Sequence, residues 1–134
     1  MADATDISPA LLWLRRDLRL ADNPALHAAI ERGGPVIPVW ILDPVAEATG
    51  SAHRWRMEGS LRALGRDLEA LGARLILRRG EALQTLRRLA KETGAKAVLW
   101  NRLYDAEARE RDEQVKSALR SDGLEAESFN GSLL

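Results

Sequence analysis

Residues Leu11 to Pro24 read LLWLRRDLRLADNP, and this stretch decides how the chain folds. Leu11-Leu12-Trp13-Leu14 is apolar at every position, which suits a strand buried on both faces of a sheet. Asn23 followed by Pro24 is a helix start: the asparagine side chain can cap, and proline at the first helical position forfeits no hydrogen bond. Between strand and helix lie Arg15, Arg16, Asp17, Arg19 and Asp22. A core strand thus delivers five charges into one loop, either as a solvated connection with internal ion pairs or as the wall of a site.

Outward from this stretch the same pattern repeats. A helix from Pro24 to about Arg32 has Leu26 and Ile30 four apart as its buried stripe, and Gly33-Gly34 ends it. VIPVWIL, Val36 to Leu42, is a second strand, although Pro38 inside it argues against a central position. Asp43-Pro44 closes it, and a small-residue loop runs to Ala52. The next helix has Met57, Leu61, Leu64, Leu68 and Leu71 spaced four, three, four, three, with Gly72 as its stop. Strand three is read as ARLIL, Ala73 to Leu77. A helix then runs from about Glu81 to Thr93, with Leu83, Leu86, Leu89 and Ala90 inward. Strand four is AVLW, Ala97 to Trp100, and a weak fifth strand is Glu125 to Phe129. The helix between them starts near Asp105. Its pairs Asp105–Arg109, Glu107–Arg111 and Asp112–Lys116, each four apart, read as solvated-face pairs.

Strand and helix alternating with short connections specify an α/β domain with a parallel sheet and helices on both faces. Its Rossmann-like form has strand order 3-2-1-4-5. The 134 residues make one domain, with residues 1–9 a flexible leader. Leu133-Leu134 at the end reads as a cut point. Twenty basic and 20 acidic residues cancel, which argues against a dominant nucleic-acid surface. There is no cysteine, hence no disulfide, thiolate nucleophile or cysteine-based zinc site. No apolar run approaches the roughly 20 residues of a membrane span, and the polar start is no signal peptide, so a cytoplasmic location is expected.

In such a sheet a ligand binds beyond the carboxyl ends of the strands where their order reverses, between strands one and four. The loop Arg15–Asp22 then faces Asn101–Asp105, with Trp40, Leu42 and Asp43 beside them. A planar polar ligand or an anionic tail fits this chemistry. The usual phosphate cradles are absent, since no glycine precedes Gly33 and no G-x-G-x-x-G or G-x-x-x-x-G-K-[ST] occurs. No nucleophile with a base can be named. Trp13 and Trp100 read as core, and Trp40 as core or ligand wall. Trp55 reads as a half-buried cover, His27 as an exposed helix residue, His53 as a loop or cap residue, and Arg54 and Arg56 as solvated.

LLWLRRDLRLADNPAL, PVWILDP, RWRMEGSLRALGRDLEALGARLILRRGE, WNRLYDAEARERDEQV and SFNGSLL, in this order, closely resemble the N-terminal domain of the DNA photolyase/cryptochrome family. The likeness runs through nearly all of residues 10–134, and the spacing is most similar to bacterial class I photolyases. The resemblance implies a longer protein with a helical domain that holds FAD. There, light-excited reduced FAD gives an electron to a pyrimidine dimer in DNA and the cyclobutane ring opens. It implies that DNA is met only through the full-length protein and that this fragment alone is not catalytic. The domain itself serves in many members as an antenna that holds a second chromophore.

Carried over residue by residue, the pocket of deazaflavin-binding members matches Arg16, Trp40, Ile41, Leu42, Asp43, Arg54, Asp105 and Arg111. Asp17 and Arg19 hold the loop or the domain interface. An acid of such members is Leu103 here. In folate-binding members an Asn-Glu pair contacts the pterin, and Glu107-Ala108 stand at those positions. The resemblance therefore favours 8-hydroxy-5-deazaflavin over folate, with a member lacking any antenna as the third case. A cryptochrome-type photoreceptor shares this domain. A stand-alone nucleotide-binding module of the electron-transfer-flavoprotein or universal-stress kind is the alternative of a different class. The face turned to the helical domain is expected to be apolar, and the fragment could self-associate through it.

Overall fold

The computed structural model describes residues 8–15, 23–42, 51–70, 72–103 and 106–130, with the backbone alone for 51–60 and the side chain of Glu107 left aside. The elements are β1 (Ala10–Leu14), α1 (Pro24–Glu31), β2 (Val36–Leu42), α2 (Ser51–Ala70), β3 (Ile76–Arg79), α3 (Ala82–Thr93), β4 (Ala97–Asn101), α4 (Ala106–Ser121) and β5 (Glu125–Phe129). The five strands form one parallel sheet in the order β3-β2-β1-β4-β5, as the sequence predicts.

The continuous apolar runs are buried because the sheet is covered twice. On one face Leu11, Trp13, Val39, Val98 and Trp100 pack against Ala82, Leu86, Leu89 and Ala90 of α3 and Val115 and Leu119 of α4. On the other, Leu12, Leu14 and Leu99 pack against Ala25, Leu26 and Ala29 of α1 and Leu64 and Leu68 of α2. Trp13 and Trp100 are core residues as expected, 4% and 0% exposed, meeting edge to face at 5.2 Å. Burial of such side chains contributes about 1.5–3 kcal/mol each.

Three local expectations change. Ile30 is 57% exposed; the buried face of α1 is Ala25, Leu26 and Ala29. The helix lies against the sheet through two alanines, so the small residues, rather than the large one at i+4, mark its inner face. Strand β3 begins at Ile76 rather than Ala73 and includes Arg78 and Arg79. Its register is set by the carboxyl half of β2, with Val39 opposite Ile76 and Leu42 opposite Arg79. Helix α2 begins at Ser51, which places His53 inside the helix. Met57 and Leu71 lie outside the described side chains; Leu64 and Leu68 form the buried stripe.

Pro38 does sit in an interior strand. Pro35 accepts from Ala10 on the β1 side, and Leu42 accepts from Gly80 on the β3 side. Alternation therefore points Pro38 toward β3, whose pairing starts one residue later at Val39. The missing donor falls where β2 has no neighbour on that side, so no ladder bond is lost.

Helix ends follow the local chemistry. Glu81 caps α3 by accepting from the Gln84 amide, and Gly94 closes it in the left-handed conformation at φ 77°. At the end of α2, Gly72 N–H donates to Glu69 and Ala73 N–H to Leu68.

Candidate functional site

The carboxyl ends of β1 and β4 lie side by side, since Trp13 pairs with Trp100. The next residue on each strand, Leu14 followed by Arg15 and Asn101, opens the reversal of strand order where ligands of such folds bind. Four side chains build its floor.

Arg15 extends from the end of β1 toward α4. Its Nη1 donates to Asp112 Oδ1 at 2.9 Å and its Nη2 to Asp112 Oδ2 at 2.7 Å, a parallel two-bond contact. Nη2 also donates to the Asn101 carbonyl oxygen at 3.1 Å. The guanidinium lies over the Trp13 ring at 4.3 Å, within cation–π range. Both side chains of the pair are nearly buried, 12% and 10% exposed. The i,i+4 partnership of Asp112 with Lys116 is thereby corrected: Asp112 faces the sheet, and Lys116 donates to Ser128 Oγ at 2.8 Å. A bidentate guanidinium satisfies a buried carboxylate more completely than a flexible ammonium does.

Asn23 and Asn101, both buried, close the start of α1. Asn23 Oδ1 accepts from the Leu26 amide at 3.0 Å and from Asn101 Nδ2 at 2.7 Å. Asn101 Oδ1 accepts from the Ala25 amide at 3.0 Å, and the Asn23 carbonyl accepts from the His27 amide. Pro24 has no amide hydrogen. The first turn of α1, where doubly wound folds seat a phosphate, is thus satisfied by the protein's own side chains. This agrees with the absence of a glycine-rich loop before it.

Among the residues expected at the site, Trp40 is half-buried at the end of β2 and packs against the Leu12–Leu14 face. Its indole Nε1 donates to the Arg15 carbonyl at 3.2 Å. Leu42 and Ile41 follow it, both partly exposed, with Ile41 on the opposite face. Arg111 is exposed on α4, next to Asp112. Arg54 lies on α2 with its side chain outside the described residues. Arg16, Asp43 and Asp105 lie outside them altogether, as do Asp17 and Arg19. The structure therefore brings Trp40 to the crevice beside Arg15, Asn101 and Asp112. The last three do not stand among the expected contacts. The charge of Asp112, between the exposed Glu110 and Glu113, gave no sign of its partner 97 residues away. Among the described residues, no group of three or more histidines and carboxylates could hold a metal, and no helix is long and apolar enough to cross a membrane.

The DNA photolyase family profile matches residues 10–134. The chain is 50% identical over 127 residues to the deoxyribodipyrimidine photo-lyase of Agrobacterium fabrum, covering 95% of this chain and 26% of that protein. It is 40% identical to cryptochrome-1 of Arabidopsis thaliana, over 93% of this chain and 19% of that one. Among solved structures, a class III photolyase from Agrobacterium tumefaciens superposes with a TM-score of 0.86 at 46% identity, over 92% of this chain and 26% of that chain. The chain thus spans about a quarter of the length of these photolyases. With the profile match over the whole of the sheet and helices, and the strand order of the fold in place, the chain belongs to the DNA photolyase family, whose N-terminal α/β domain it carries.

Proposed function

We propose that the full-length protein is a deoxyribodipyrimidine photolyase and that this domain holds its antenna chromophore. The observation that carries the enzyme assignment is the 50% identity to a deoxyribodipyrimidine photo-lyase along nearly the entire domain. The antenna assignment rests on the crevice. It offers a half-buried indole at Trp40, and the first-turn amides of α1 are already taken; Arg111, exposed on α4 beside Asp112, is read as its cationic partner. Such a crevice suits a planar ring with a polar or anionic tail read by side chains, rather than a phosphate read by backbone.

In this reading Arg16, Trp40, Ile41, Leu42, Asp43, Arg54, Asp105 and Arg111 line the chromophore site, and 8-hydroxy-5-deazaflavin is preferred to folate. Trp40 supplies a ring face, and the arginines neutralise the tail. FAD, held outside these 134 residues, supplies the light-driven electron transfer to the dimer. The class III photolyase, 46% identical over 92% of this chain, favours that branch over the class I branch that the motif spacing suggests.

The test is the absorption spectrum and mass of small molecules that co-purify with the full-length protein. A chromophore absorbing beyond the FAD bands, together with blue-light repair of pyrimidine dimers, is expected. FAD alone would overturn the antenna reading. A second reading, a cryptochrome-type photoreceptor, is favoured by the 40% identity to an Arabidopsis cryptochrome. Light-responsive flavin without any dimer repair would select it.

A further inference from the structure

Arg15 joins three parts of the crevice at once. Its guanidinium grips Asp112 on α4 through two bonds and the Asn101 carbonyl at the end of β4. Its own carbonyl is held by the Trp40 indole from β2. Two of these anchors are, or adjoin in sequence, residues assigned above to the chromophore. Arg111 precedes Asp112, and Trp40 is itself an anchor. Arg15 therefore ties the end of β1 to α4, to the end of β4 and to the indole of β2.

A stability role explains this poorly. Removing a carboxylate and a guanidinium from water costs much of what their attraction returns, so a buried pair adds little over an apolar pair of the same size. What an apolar pair cannot reproduce is direction. The two-bond fork fixes the guanidinium plane, which also lies over Trp13 at 4.3 Å. Binding groups must be held to fractions of an ångström by neighbours whose own positions are locked.

We propose that Arg15 and Asp112 are a positioning pair for the antenna site: they touch no chromophore but set the geometry of Trp40 and Arg111 that do. This rests on the antenna reading above.

The experiment uses the full-length protein, reconstituted with 8-hydroxy-5-deazaflavin and, separately, with a methenyl-folate. Affinity is read by titration, and orientation by induced circular dichroism in the chromophore band at saturation. Arg15→Met combined with Asp112→Leu removes both charges and leaves neither buried alone. This variant should keep its fold and its FAD content, bind the chromophore about tenfold or more weakly, and show an altered induced band. Arg15→Lys keeps the charge but loses the fork. It should also alter the band, which keeps the proposal exposed to test if the double variant does not fold. Unchanged affinity and an unchanged band in a folded variant would overturn the positioning role while leaving the antenna reading intact. Wild-type protein that takes up neither chromophore would overturn both.

Discussion

Asn23 and Asn101 meet side chain to side chain at 2.7 Å, joining the cap of α1 to the end of β4 across 78 residues of sequence. Each also accepts from a first-turn amide of α1. Asn101→Ala should therefore cost about 1–3 kcal/mol, because it strands the buried Ala25 amide. Asn23→Ala should cost about 0.5–2 kcal/mol for the lost cap, plus a share of the same network. The double variant should be less destabilised than the sum by about 0.5 kcal/mol or more, since both singles break one common bond. Urea unfolding of all three variants at constant slope measures this.

Two arginine–aspartate pairs among the described residues should behave in opposite ways. Arg87 Nε lies 2.6 Å from Asp122 Oδ2, shorter than the Arg15–Asp112 contact, yet its side chains are 44% and 36% exposed. Arg87→Ala should cost less than about 1 kcal/mol and less still in high salt. Asp112→Ala leaves the Arg15 charge nearly buried without its carboxylate and should cost about 3–5 kcal/mol with little response to salt. Unfolding midpoints at low and high ionic strength distinguish the pairs, and equal losses would refute the ranking.

Helix α1 gives a packing test. Ile30→Ala should change stability by less than about 0.5 kcal/mol, because the side chain is 57% exposed. Ala29→Leu, at a position with no exposure, should destabilise by about 1–3 kcal/mol through overpacking against the sheet. Thermal unfolding compares them. An Ile30→Ala variant that loses as much as Ala29→Leu would place the helix face wrongly.

Two glycines differ in what a methyl group would meet. At Gly94, φ 77°, nothing lies within 4 Å, so Gly94→Ala bears only the left-handed backbone cost of about 1–2 kcal/mol. At Gly80, φ 149°, a Cβ would stand 3.0 Å from Thr85 Oγ1. Gly80→Ala should therefore be the worse of the two. Adding Thr85→Ala should recover the steric part and leave the backbone part.

The sheet could be read from the chain because buried parallel strands are apolar at every position, and LLWL and AVLW admit few other readings. The inner face of α1 could not, because apolar spacing does not say that close approach to the sheet selects Ala25 and Ala29 over Ile30. The start of β3 was equally hidden: Ala73 and Leu75 extend the apolar residues of ARLIL ahead of Ile76, but pairing is decided by β2 on the other side of a helix. At the crevice, the place of Trp40 beside the end of β1 was legible from topology. Arg15–Asp112 was not, since local charge patterns pair a residue with its neighbours on the helix, whereas burial pairs it with whatever the fold brings near.

The closed first turn of α1 has a consequence for ligand choice. Abundant nucleotides such as ATP bind folds of this shape by resting a phosphate on that turn, and here two asparagine side chains already occupy its amides. A pigment in this crevice would therefore be recognised without those amides, the seat on which a nucleotide's phosphate depends.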